Sequence, residues 1–225
     1  MKEVPVPPLP ANGTQTEESQ RHMTPDSTRK RLEDGNDRFI KSKLVERDLL
    51  SQVTSTQGGQ YPYAVVLSCI DSRVPVETIF DQGIGDIFSA RVAGNVVSPD
   101  IVGSIEYGCK VAGSKLVVVL GHTGCGAVKT AIQDANAISP LQLGSIRSLL
   151  DGIKPSVHAV QEPEKRSERT YENKEFFNAV VYKNVALTID NLKNDSPILK
   201  DMEEKGEIKI LGAVYSVSDG KVTFL

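Results

Sequence analysis

The run Leu116-Val117-Val118-Val119-Leu120 is the feature that most limits how this chain can fold. Five consecutive apolar residues, three of them β-branched, are typical of a strand whose two faces are both covered by helices. Residues 64–67, 87–92 and 208–214 predict further strands, and residues 221–224 predict a last one. We therefore expect a sheet that is mainly parallel.

Helical patterns separate the predicted strands. Thr24-Pro25-Asp26 is a helix-start signal, and Phe177, Val181, Val185, Ile189 and Leu192 recur at the three- and four-residue spacing of a long amphipathic helix. The alternation of strands and helices predicts an α/β fold with flanking helices. The predicted helices cover residues 24–43, 45–56, 98–112 and 125–136, the long helix around 177–192, and a short helix from 196. Residues 139–170 lack a regular pattern, and we expect them to be irregular.

The 225 residues fit one domain with an extension. The run Val4-Pro5-Val6-Pro7-Pro8-Leu9-Pro10 cannot be helical. We therefore expect residues 1–23 to form a flexible, proline-rich N-terminal extension. Order is expected to begin at Thr24, so that residues 24–225 form the domain and residues 24–57 a helical arm.

Composition excludes several classes of protein. With 26 basic and 29 acidic residues, the chain gives no reason to expect nucleic acid as a partner. No apolar stretch is long enough to span a membrane, and the N-terminus lacks the apolar core of a signal peptide. We expect a cytoplasmic protein; the alternative is a periplasmic one from which a signal peptide has been removed. Three cysteines in a chain of this length argue against a disulfide framework.

Functional residues of α/β folds lie beyond the carboxyl ends of the strands, which here means residues 68–75, 91–98 and 121–126. Cys69 follows the first predicted strand, and His122 and Cys125 follow the strongest one. Two thiolates and one imidazole suit zinc, and three protein ligands leave a fourth tetrahedral position open, as in catalytic sites. Cys109 lies within a predicted helix and is interpreted as a packing residue.

Asp71 lies two residues after Cys69, with Arg73 two residues further on. A carboxylate at this position can accept a hydrogen bond from a water on the zinc, or it can bind the zinc itself and close the site. An arginine can hold the carboxylate in a two-point pair and so keep it off the metal. The simpler alternative is a salt bridge within the loop.

At these residues the chain resembles the β-class carbonic anhydrases. Cys69-x-Asp71-x-Arg73 and His122-x-x-Cys125 are the two signatures of that family, and the resemblance runs from about Thr24 to the C-terminus. It implies reversible hydration of carbon dioxide to bicarbonate and a proton, by attack of a hydroxide on one Zn²⁺ per chain. Cys69, His122 and Cys125 would be the zinc ligands, and Asp71 and Arg73 the catalytic residues.

Three further positions match the first, plant-like subtype of the family: Gln60, Phe88 and Tyr107, which would bind substrate. Val66 stands where the second subtype has a tryptophan that supports a non-catalytic bicarbonate site, so we expect no such site here. The resemblance also implies a bacterial origin, a four-stranded parallel core with an added edge strand, and a homodimer or tetramer. Residues 24–57 would embrace the second subunit, and Gln60 and Tyr107 would reach the neighbour's active site.

Three other functions are alternatives to this one. Relatives of the family hydrolyse carbon disulfide or carbonyl sulfide on the same scaffold, and a non-catalytic zinc-binding homologue would keep the fold for binding alone. A nucleotide-binding oxidoreductase is disfavoured because the first predicted strand is not followed by a Gly-x-Gly-x-x-Gly turn. For the carbonic anhydrase, two thiolates place more negative charge at the metal than histidines would, so we expect activity to rise towards alkaline pH.

Overall fold

The computed structural model describes residues 13–137 and 144–225. Five strands form one sheet in the order β2-β1-β3-β4-β5. The first four strands of that order pair in parallel, and β5 runs antiparallel to β4. This confirms the predicted parallel core with an added edge strand. The strands are β1 (Ala64–Ser68), β2 (Ile87–Arg91), β3 (Leu116–His122), β4 (Lys209–Tyr215) and β5 (Val222–Phe224).

Helices cover both faces of this sheet, and none of those described is long and apolar enough to cross a bilayer. Single turns of 3₁₀ helix cover Ala93–Asn95 and Arg166–Glu168. The helices are α1 (Glu17–Arg21), α2 (Pro25–Ile40), α3 (Leu49–Thr56), α4 (Val76–Ile79), α5 (Pro99–Glu106) with a π-helical continuation over Tyr107–Val111, α6 (Gly126–Asn136), α7 (Ile146–Ala159), α8 (Lys174–Asp195) and α9 (Pro197–Glu204).

The two central strands, β1 and β3, are buried along their whole length. Alternate side chains point to opposite faces of a strand. Val117 and Val119 accordingly join the core that includes residues of α6, α7 and α8, whereas Leu116 and Val118 join the core that includes residues of α2 and α4. The continuous apolar run in the sequence therefore reflects a strand that supplies two cores at once.

The expectation that order begins only at Thr24 is wrong. Helix α1 lies within the predicted flexible extension, and its start is fixed by a capping box between Thr16 and Ser19. Gln20 is buried, and its Nε2 donates to the carbonyl oxygens of Pro62 and Ala112 at 2.7 Å each. These bonds tie α1 to the segments that lead into β1 and β3. The proline-rich run itself lies outside the described residues.

The expectation of an irregular segment over residues 139–170 is also wrong for its middle part. Residues 146–159 form α7, because Leu150, Ile153 and Val157 recur at helical spacing and are buried. Residues 139–143 of that segment lie outside the described residues. The predicted helix over residues 45–56 is four residues shorter than expected: α3 begins at Leu49, where the Asp48 side chain caps it by accepting from the N–H of Ser51.

Candidate metal centre

Three metal-ligating side chains converge where β1 and β3 end. These strands are neighbours, with Ser68 opposite Leu120. Cys69 follows β1 directly, His122 is the last residue of β3, and Cys125 immediately precedes α6. Their ligating atoms all lie within 4.8 Å of one another, and the three residues are only 4%, 0% and 1% exposed. The structure thus brings together the three residues that the sequence singled out.

The imidazole of His122 is oriented for a ligand. Its Nδ1 donates to the carbonyl oxygen of Thr123 at 3.0 Å, which leaves the lone pair on Nε2. Nε2 is buried, and no group among the described residues hydrogen-bonds to it. The loop is itself fixed, because the N–H of Thr123 donates to Tyr215 and its hydroxyl accepts from the N–H of Val217. A buried acceptor without a partner, facing two sulfur atoms, fits a metal ion such as zinc.

The thiols of Cys69 and Cys125 shift each other's pKa in opposite directions. The pKa of the Cys69 thiol is lowered chiefly because the Cys125 thiol donates to its sulfur; burial opposes this, and the main-chain N–H of Gly94 also donates to the sulfur, at 3.4 Å. The pKa of Cys125 is raised, because its proton is held by Cys69 and because the thiol is buried. Metal binding needs deprotonated thiols, so an ion that binds here would have to displace the proton of the Cys125 thiol.

Asp71 is held at the rim of the centre by Arg73. The Arg73 main-chain N–H and its Nε both donate to Oδ1 at 2.9 Å, and Nη2 donates to Oδ2 at 2.7 Å. These bonds lower the pKa of the Asp71 carboxyl. The nearest Asp71 oxygen lies 3.9 Å from Nε2 of His122. The carboxylate is therefore engaged by the guanidinium beside the ligands, in the two-point pair that the sequence suggested.

One residue that supports the site was not identified from the sequence. Arg91, the last residue of β2, donates through Nε to the carbonyl oxygen of Cys69 at 3.0 Å and through Nη2 to that of Asp71 at 2.7 Å. It therefore braces the loop that carries both a candidate ligand and the carboxylate. Its place at the carboxyl end of a parallel strand was the available signal.

The predicted substrate-binding residues lie elsewhere within this chain. Phe88 and the exposed Tyr107 line a groove of about 650 Å³ beside the edge strand β2, and Phe88 is level with Val65 near the start of β1. Gln60 is exposed and precedes β1 by four residues. Because a five-residue strand is about 16 Å long, these residues lie towards the amino end of β1 and the metal ligands at its carboxyl end. Their roles remain predictions.

The remaining cysteine and the two remaining histidines lie outside the candidate metal centre. Cys109 is buried in the core within the π-helical turn that follows α5, as predicted for a packing residue. His22 and His158 are exposed, and neither joins the ligand cluster.

Comparisons with known proteins agree with this arrangement. The family model described as carbonic anhydrase matches residues 64–222. Carbonic anhydrase 2 of Mycobacterium tuberculosis is 35% identical over 193 residues, which are 85% of this chain and 88% of that protein. The carbonic anhydrase of Mycolicibacterium smegmatis is 33% identical, with 86% and 89% covered.

Solved structures share the fold. The β-carbonic anhydrase CafA of Aspergillus fumigatus is 27% identical, with a TM-score of 0.63 over 77% of this chain and 80% of that chain. The β-carbonic anhydrase CcaA is 24% identical, with a TM-score of 0.67 over 87% and 94%. The sheet order, the ligand cluster and these likenesses lead to one conclusion: the chain belongs to the β class of the carbonic anhydrase family.

Proposed function

We propose that this protein interconverts carbon dioxide and bicarbonate, with one Zn²⁺ per chain bound by Cys69, His122 and Cys125. The observation that carries the proposal is the convergence of these three buried ligating atoms on one point, with the Nε2 of His122 left without a hydrogen bond. Two thiolates and one imidazole are a common zinc donor set, and three protein ligands leave a position for a reacting molecule.

Zinc bound there would supply a Lewis acid that makes water a nucleophile near neutral pH, as zinc held by three histidines does in other carbonic anhydrases. Asp71 supplies the orienting group, because an ionised carboxylate can accept a hydrogen bond from the attacking oxygen. Arg73 keeps that carboxylate ionised and directed, since its guanidinium occupies both oxygens. Arg91 holds the main chain beneath them.

Stopped-flow hydration of carbon dioxide by the purified protein, with zinc measured in the same sample, tests this function. Cys125→Ser is expected to lose both zinc and activity. Cys109→Ala is the matched control, because Cys109 is equally buried but lies outside the ligand cluster; it is expected to keep both. Turnover of carbon disulfide without hydration of carbon dioxide would favour the alternative hydrolase. Stoichiometric zinc without turnover of either substrate would favour a non-catalytic homologue.

We also propose that the active unit is a homodimer in which Gln60, Phe88 and Tyr107 complete the neighbour's active site. Within one chain these residues lie away from the metal ligands, yet Gln60 and Tyr107 are both exposed, and Tyr107 lines the groove beside the edge strand β2. Several apolar side chains of the arm are exposed as well, namely Leu44, Val45, Leu49, Leu50 and Val53. A second copy of the chain would cover such a surface.

A mixing experiment separates action within a chain from action between chains. Gln60→Ala subunits keep the metal ligands, and Cys125→Ser subunits keep Gln60. If Gln60 serves the neighbour, refolding the two inactive proteins together restores activity at one site of each mixed dimer. Mixtures that stay inactive, although light scattering shows dimers, would mean that Gln60 does not act across the interface.

A further inference from the structure

The main-chain turn at Ala93–Asn95 contacts the sulfur of a candidate metal ligand. Gly94 adopts a left-handed conformation there, with φ of 75°, and its N–H donates to Sγ of Cys69. A Cβ on Gly94 would stand 2.4 Å from Cδ1 of Ile153 on α7. The turn is therefore packed closely against α7, and glycine is required both by its conformation and by the lack of space.

A buried amide on α8 holds the same turn from the other side. Nδ2 of Asn184 donates to the carbonyl oxygen of Gly94 at 2.8 Å, and Oδ1 accepts from the Ser156 hydroxyl on α7 at 3.3 Å. Asn184 is 2% exposed and Ser156 is 1% exposed. Burying an amide between packed helices is costly unless its hydrogen bonds are made. This asparagine therefore has a defined orientation, and that orientation fixes Gly94.

A hydrogen bond to a thiolate draws electron density away from the sulfur, and groups behind the direct ligands tune how strongly those ligands donate to a metal. We propose that Asn184 is a positioning residue for the metal centre: by holding the Gly94 carbonyl oxygen, it keeps the Gly94 N–H directed at the Cys69 sulfur and so sets the electron donation of that thiolate. The inference rests on the proposed metal site, but neither on turnover nor on the identity of the substrate.

Cobalt(II) substitution gives a direct readout, because sulfur-to-cobalt charge transfer produces an absorption band that reports the electron density of the thiolates. In Asn184→Leu the thiolate is expected to become more electron-rich, so that the band moves to lower energy. The variant is also expected to bind zinc about tenfold more weakly, at the low end of the effects known for groups behind metal ligands, because the turn that orients the Cys69 sulfur is no longer held. Thr188→Ala, one helical turn further along α8 and also buried, is the matched control and should leave the band in place.

Ser156→Ala provides a milder variant that leaves Asn184 in place and frees only one end of its amide. Its band is expected to move in the same direction by a smaller amount, so it serves as the test if Asn184→Leu does not fold. A band that neither variant moves would overturn the proposal, as would an equal displacement in Thr188→Ala. A wild-type protein without any thiolate band would overturn the metal site itself, and this inference with it.

Discussion

At the scale of single residues, the chemistry depends on what holds the Asp71 carboxylate. Arg73 engages both of its oxygens, and the carboxylate nevertheless lies only 3.9 Å from the ligating nitrogen of His122. The same side chain is therefore close enough to turn towards a metal if the guanidinium were lost. In the proposed reaction, Arg73 would therefore keep the fourth position at the metal free.

Arg73→Lys is expected to lower carbon dioxide hydration by about 100-fold at unchanged zinc content, because lysine keeps the charge but cannot make two parallel bonds and the carboxylate loses its orientation. Stopped-flow kinetics with metal analysis checks this. Arg21→Lys, in an exposed ion pair with Glu17, is the control and should be fully active. Full activity in Arg73→Lys would show that the two-point pair is dispensable.

The pH dependence of the proposed activity should be set by the metal ligands themselves. Because two thiolates place negative charge at the metal, we expect the rate of hydration to rise between pH 6.5 and 9. A rate that stays constant across this range, measured by stopped flow at constant ionic strength, would contradict the electrostatic argument.

Asp86 is expected to make stability depend on pH. It is buried, its Oδ2 accepts from the N–H of Gly83 at 2.7 Å, and burial raises its pKa. A carboxyl whose folded pKa lies above the ordinary value of about 3.9 binds its proton more tightly when folded. The protonated Asp86 therefore contributes its full stabilisation below the ordinary pKa, and this stabilisation is lost as the pH rises through the pKa of the folded state.

Asp86→Asn removes this ionisation, so the wild type should lose unfolding free energy relative to the variant as the pH rises from about 4 to 7. Urea unfolding at both pH values measures the change. Asp37→Asn, in an exposed pair with Lys41, is the control. Parallel pH profiles for Asp86→Asn and the wild type would refute the role of this carboxyl.

Functional positions were predictable only where they follow the end of a strand. Cys69, His122 and Cys125 each lie at or just beyond a recognisable strand, so their convergence could be inferred. Asn184 and Gln20 could not be found in this way, because each bonds to main-chain atoms 42 to 92 residues away. No local pattern encodes such a partner.

At the scale of elements, some helices pack so closely on neighbouring segments that only glycine fits at the point of contact. Gly35 of α2 is an example, since a Cβ there would lie 1.8 Å from the carbonyl oxygen of Phe80, just after α4. Gly152 of α7 similarly approaches Val96, whose Cγ1 would lie 3.1 Å from an added Cβ. These glycines allow α2 to approach Phe80 and α7 to approach Val96 closely.

Gly35→Ala is expected to lower the unfolding free energy by at least about 2 kcal/mol, because the methyl group forces α2 away from the Phe80 carbonyl. Chemical denaturation measures this. Gly58→Ala, where an added Cβ meets nothing within 4 Å, should stay within about 0.5 kcal/mol of the wild type. Equal stabilities for the two variants would show that α2 can move aside without cost.

Two helices, α7 and α1, form although their local sequences do not predict them. Gly152 and Pro155 both disfavour a helix, yet α7 forms because its apolar face is buried against α6 and α8. Helix α1 has five residues, too few to be stable alone, and exists because Gln20 anchors it. In both cases tertiary contacts outweigh local preference, whereas the long apolar patterns of β3 and α8 predicted those elements correctly.

At the scale of the whole molecule, the proposed metal links two loops that are more than fifty residues apart in sequence. Removing the metal with a chelator should therefore lower the melting temperature, by about 10 °C, and adding zinc should restore it. Differential scanning fluorimetry measures the change. Cys125→Ser is expected to show no response to chelator, whereas Cys109→Ala should respond like the wild type. A wild-type melting temperature that chelation leaves unchanged would mean that the metal does not stabilise this fold.

The positions of the site residues along the chain also determine the order in which parts of the site are synthesised. The three proposed ligands all lie at the carboxyl ends of β1 and β3, whereas Tyr215 of β4 and Val217, which hold the loop at Thr123, come much later in the chain. During synthesis the ligand set is complete by Cys125, whereas Asn184 and α8 follow some sixty residues later. A nascent chain therefore contains all three proposed ligands before these later residues that hold their loops in place have been synthesised.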